Sequence, residues 1–69
     1  MRQPRASGLT TGILEAIDVA AQTIRVGSAV FHLTRPELFQ HLEVGQRVTV
    51  TWDEAGETRR ARTIVIERR

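Results

Sequence analysis

The stretch Thr23-Ile24-Arg25-Val26-Gly27-Ser28-Ala29-Val30-Phe31-His32-Leu33-Thr34 decides the fold. Gly27-Ser28 has the form of a two-residue hairpin turn, with glycine at the first turn position, where a positive φ is needed. The turn sets the register, so that Val26 faces Ala29, Ile24 faces Phe31 and Gln22 faces Leu33. Ile24, Val26, Ala29, Phe31 and Leu33 then share one side, while Thr23, Arg25, Val30, His32 and Thr34 share the other. One apolar face and one mainly polar face make a sheet with core behind it and water in front.

Upstream, Thr10 to Ile17 is rich in strand-forming residues, but strict alternation cannot put Leu14 and Ile17 on one face. A bulge between them is therefore expected, and bulges bend strands. Asp18 to Gln22 reads as a turn, with the Asp18 carboxylate able to accept backbone N–H bonds. Residues 1–8 carry Pro4, Ser7 and Gly8 and almost no apolar side chain, so they are expected to form a loose arm ahead of a single domain over residues 9–69.

Downstream, Thr34-Arg35-Pro36-Glu37 has the spacing of a helix-capping box, and Leu38 and Leu42 lie four apart. The pattern predicts a short helix from Arg35 to about Leu42 whose two leucines plug one end of a barrel. Arg47 to Trp52 alternates, with Val48, Val50 and Trp52 on the core side and Arg47, Thr49 and Thr51 outward. Asp53-Glu54-Ala55-Gly56 reads as a turn. The last strand runs from about Thr58 to Glu67 with Ala61, Ile64 and Ile66 inward, and the odd spacing between Ala61 and Ile64 predicts a second bulge. The expected fold is therefore all-β: a five-stranded antiparallel small barrel with one short helix between the third and fourth strands.

At 69 residues with no cysteine, the chain has neither disulfides nor a cluster of metal ligands to reinforce a small core. Apolar packing must suffice, alone or shared with a second copy. No run of apolar residues is long enough to span a bilayer, and the polar, arginine-bearing start lacks an apolar h-region, so no membrane partner and a cytoplasmic location are expected.

The charge is uneven along the chain. Residues 1–58 hold five arginines against seven acids, whereas residues 59–69 hold five arginines against Glu67 alone. All ten basic residues are arginine, which fits both codon bias in a GC-rich genome and the fork-shaped recognition of phosphate that lysine cannot supply.

The run Gly12-Ile13-Leu14-Glu15-Ala16-Ile17-Asp18, then Thr23-Ile24-Arg25-Val26, then Leu42-Glu43-Val44-Gly45-Gln46-Arg47-Val48-Thr49-Val50, then Gly56 and Ala61, resembles a group of small bacterial barrel domains of unknown function that are similar in architecture to OB folds. The resemblance covers about residues 9–66. It rests on turn glycines and core valines, so it implies a fold and no catalytic or ligand-binding residue.

Little in the side-chain inventory suits an enzyme: two His, two Ser, two Asp, and no Cys, Lys or Tyr. Ser28 sits in a turn without the second glycine of a nucleophile elbow. His32 is expected to face outward and His41 to end the short helix, neither with a companion at metal-ligand spacing. The chain is thus read as a non-enzymatic binding module, with no catalytic residue, cofactor or metal expected. OB-like barrels bind single-stranded nucleic acid through a basic groove and exposed rings. Arg25, Arg47, Arg59, Arg60 and Arg62 face outward on this reading and are expected to form one basic stripe. Phe31 and Trp52 fall on core faces, so nucleic-acid binding would be mainly electrostatic. Two alternatives stay open: a charge-guarded edge strand with no ligand, and a surface for another protein or for self-assembly.

Overall fold

The Gly27-Ser28 turn forms as its sequence requires in the computed structural model, which describes residues 6–67. Gly27 has φ +60°, and the flanking strands β2 (Thr23–Val26) and β3 (Ala29–Leu33) pair antiparallel with Val26 opposite Ala29 and Ile24 opposite Phe31. The Leu33 N–H donates to the Gln22 carbonyl at 2.8 Å, which carries the expected register one step further.

The first strand, β1 (Ser7–Asp18), serves two partners in succession. Residues 7–13 pair with β4 (Arg47–Ala55) and residues 14–18 with β2. The switch coincides with a register shift between Leu14 and Ala16, so Glu15 is the extra residue and Leu14 and Ile17 both turn toward the core. Here the predicted bulge lets one strand bend from one wall into the next. Ser7 and Gly8, the last two residues of the arm predicted over residues 1–8, belong to β1. Ser7 and Gly8 already pair with Asp53 and Trp52, because β4 runs past Trp52 and offers them ladder partners. Residues 1–5 lie outside those described.

The turn predicted at Asp53–Gly56 moves to Gly56-Glu57. Gly56 has φ +68° and Ala55 faces Thr58, the same two-residue geometry as Gly27-Ser28. β5 (Thr58–Ile66) then runs back along β4, with a register shift where Trp52 faces Ala61 but Thr51 faces Thr63. Arg62 is the extra residue, in the interval where the second bulge was expected.

The five strands close in a ring in the order β1-β2-β3-β5-β4. The expectation that all pairs would be antiparallel is corrected at the closing seam. β3 and β5 run parallel and share only two pairs, His32 with Arg60 and Leu33 with Ala61. Both strands arrive at the seam from hairpins, and the order of the ring leaves them pointing the same way.

The predicted helix is corrected too. Only Pro36–Phe39 forms a single 3-10 turn, and Thr34 does not cap it: the N-cap position is Arg35, with no side-chain cap bond. Gln40 is extended and His41 has φ +68°, so the chain cannot continue as an α-helix. An isolated helix of this length is intrinsically marginal. Burial decides instead, and Leu38, Phe39 and Leu42 all pack against the core from an irregular segment.

That core consists of Leu14, Ile24, Val26, Phe31, Leu33, Val48, Val50 and Ala61, with Ile64 and Ile66 packed on it. Fully burying a side chain such as Phe31 or Leu14 contributes about 1.5 to 3 kcal/mol, so these few residues supply most of the apolar driving force. Among the described residues no helix is long and apolar enough to cross a membrane.

Candidate anion-binding site

The seam between β3 and β5 is where the ring is least paired, and below its two-residue ladder the strands diverge into a cleft of about 530 Å³. Thr34, Arg35, Arg60, Ala61, Arg62 and Thr63 line it. The bulge explains why so much charge collects there. From Arg60 to Thr63, both outward, the strand spends three steps instead of two, and Arg62 is left outside the β4 ladder.

Asp53, next to Trp52 on β4, gathers the two β5 arginines. Arg62 Nη1 donates to Asp53 Oδ2 at 2.9 Å, and Arg60 approaches with Nε at 3.3 Å from Oδ1 and Nη2 at 3.5 Å from Oδ2. Hydrogen bonding from Arg60 is the main reason the Asp53 carboxyl is held below its ordinary value; partial burial opposes the effect and Arg62 adds to it. From the other side of the seam, Arg35 Nη2 donates to the Arg62 carbonyl at 3.0 Å. The bulge thus supplies an unladdered carbonyl that anchors a third guanidinium.

The cleft is thus lined by three arginines, two of them held by Asp53 from β4, and these four groups leave two positive charges in excess. Each guanidinium carries five donors, and Arg35 and Arg62 each donate one of them to protein groups. The guanidiniums that line the cleft are donors suited to an anion.

The five arginines predicted as one stripe are dispersed. Arg60 and Arg62 stand in the cleft. Arg59 lies over the Trp52 ring, with Cζ 4.8 Å from its centroid. Arg47 is at the far end of β4, ion-paired with Glu67 at 3.3 Å. Arg25 is two strands from β5, on β2 beside Ala16 and Val30. Two members of the site were missed from sequence, Arg35 and Asp53. Continuing the outward alternation Arg47, Thr49, Thr51 by one step reaches Asp53, and reading Gly56-Glu57 as the turn places it opposite Arg60.

Trp52 was expected in the core and is half-buried instead. Its ring lies against Gly8, where a Cβ would come within 3.1 Å of Cζ2, and 6.3 Å from Phe31 between centroids. Its Nε1 donates to Thr10 Oγ1 at 2.9 Å. With Arg59 over the ring, Trp52 is not an open platform for a base. Among the described residues no three His, Asp or Glu side chains stand together as metal ligands would.

The chain matches no protein-family model, no curated protein and no solved structure.

Proposed function

We propose that the protein is a non-enzymatic binding module, an OB-like small barrel whose ligand is nucleic acid held electrostatically at the Arg35, Arg60 and Arg62 cleft. The observation that carries this reading is that three arginines line one cleft and Asp53 is the one carboxylate bonded to them among the described residues. Arginine's planar fork suits phosphate oxygens, and guanidiniums already anchored by Asp53 and the Arg62 carbonyl lose less freedom on binding. The ring order β1-β2-β3-β5-β4 supports the OB-like assignment, as does the resemblance to small bacterial barrel domains.

The test is a titration of labelled single-stranded oligonucleotide at about 50 and about 200 mM salt. Two or three phosphate contacts predict a loss of affinity of roughly 7- to 18-fold between the two, from a slope of about 0.7 per phosphate for single strands. Absence of binding at the lower salt removes the proposal.

One observation favours a second reading, self-assembly. The outward face of β1, β4 and β5 presents Leu9, Ile13 and Val65 among Thr11, Thr49 and Thr51 without a charge, up to the Arg47–Glu67 pair. A second copy is the occupant this reading names, since a small core gains from sharing an apolar face. Sedimentation equilibrium decides it: a monomer at about 100 μM excludes a dimer of useful strength, which would be mostly associated at that concentration.

A further inference from the structure

Resting on the nucleic-acid reading, we infer that the Arg35, Arg60 and Arg62 cleft takes the terminal phosphate of a strand and not a stretch of its backbone.

Charge on either side of the cleft ends the track. Toward the hairpin tips, the same seam opens into a second hollow of about 390 Å³, where Arg59, which also lies over the Trp52 ring, and His32 stand beside Glu54 and Glu57. A polyanion extended that way meets two carboxylates against one guanidinium. In the other direction the outer face of β4 and β5 is Thr49, Thr51, Thr63 and Val65, with no charge before Arg47, which Glu67 already engages. Among the described residues, successive phosphates of a strand therefore find one site with positive charge in excess and no second one in line with it.

The chemistry of the cleft matches a monoester better than a diester. Three guanidiniums against the Asp53 carboxylate leave two positive charges, and a terminal phosphate carries close to two negative charges on three strong acceptor oxygens. A backbone diester offers one charge and two such oxygens. Arg35 and Arg62 reach the cleft from opposite sides of the seam, the Arg35 fork anchored on the Arg62 backbone carbonyl and the Arg62 fork on Asp53. No aromatic side chain lines the cleft, so a base gains little there, and the phosphate has to carry recognition.

The experiment compares internally labelled oligothymidylates of about ten and about twenty nucleotides bearing a phosphate at the 5′ end, at the 3′ end or at neither, by fluorescence anisotropy at about 50 mM salt. The expected result is at least about tenfold tighter binding of a phosphorylated strand than of the unphosphorylated one, unchanged on doubling its length, and displaced by inorganic phosphate. Arg35→Gln, which among the described residues gives up one bond, to the Arg62 carbonyl, should remove most of that preference while circular dichroism stays parental. The double variant Arg35→Gln/Arg62→Gln should remove it entirely. Equal affinity with and without the end phosphate, tightening with length, overturns the inference and leaves the nucleic-acid reading standing. Binding of inorganic phosphate without binding of any strand, or no binding at all, overturns both.

Discussion

The molecule contains two hairpins built on the same turn and put to different use. Gly27-Ser28 joins β2 to β3 and Gly56-Glu57 joins β4 to β5, each with its glycine at positive φ, +60° and +68°. The first hairpin pairs without interruption, and Ile24, Val26, Phe31 and Leu33 go straight into the core. The second is broken by the extra residue Arg62, and around that break lie Asp53, Arg60 and the contact from Arg35. Regular pairing buries side chains on one face; an interruption re-aims them and frees backbone groups. Both hairpins feed the core, the second through Val48, Val50 and Ala61, but only the irregular one gathers the charged side chains of the candidate site.

The difference is sharpest in truncations of the two aromatic neighbours. Phe31→Ala removes a fully buried ring from the regular hairpin and should cost about 3 to 5 kcal/mol, most of the stability of a domain this small. Trp52→Ala on the irregular hairpin removes a larger but half-buried ring and one hydrogen bond to Thr10, for about 2 to 3 kcal/mol. Urea unfolding measures both. A Trp52 variant less stable than the Phe31 variant would mean that the second hairpin, not the first, anchors the core.

The contrast also explains what could be read from the sequence. Alternation about Gly27-Ser28 names the register and inner face of the first hairpin, because each residue there obeys one local rule. The breaks in parity at Leu14/Ile17 and Ala61/Ile64 likewise reveal both bulges. Asp53 was legible in principle: it follows from the turn at Gly56-Glu57, which has the same form as Gly27-Ser28 but was obscured by the turn-forming look of Asp53-Glu54-Ala55-Gly56. Arg35 was not legible. Its place depends on a carbonyl exposed by a bulge 27 positions away and on a segment whose helical pattern is overridden by burial of Leu38, Phe39 and Leu42. The parallel seam escaped for a related reason, since it is a property of how two hairpins meet and no local pattern encodes it.

If the turns are equivalent, Gly27→Ala and Gly56→Ala should cost about the same, roughly 1 to 2 kcal/mol each, because a Cβ is disfavoured at positive φ. Neither glycine has an atom within 4 Å of the position a Cβ would take, so the cost is conformational and not a clash. Thermal midpoints compared at one pH check it. A markedly larger cost at Gly56 would show that the bulged hairpin depends on its turn more than the regular one does.

The smallest effect separates the hairpins by charge. No carboxylate lies between Thr23 and Leu33, whereas Asp53 on the second hairpin is held below its ordinary value of 3.8 by Arg60 and Arg62. A carboxyl with a lowered folded pKa binds its proton more readily in the unfolded chain. Its contribution to stability is therefore fully present above the unfolded value and is lost as pH falls through 3.8 toward the lower folded value. Asp53→Asn should then be less stable than the parent near neutrality, with the gap in thermal midpoint constant down to about pH 5 and closing below about pH 4. Gly27→Ala should keep a constant gap over that acid range, since its cost involves no proton. The exposure of Arg62 keeps the Asp53 effect modest and salt-sensitive. A gap for Asp53→Asn that stays the same into acid would mean that Asp53 holds the two arginines by shape and hydrogen bonding alone, and that the charge of the cleft is not set by it.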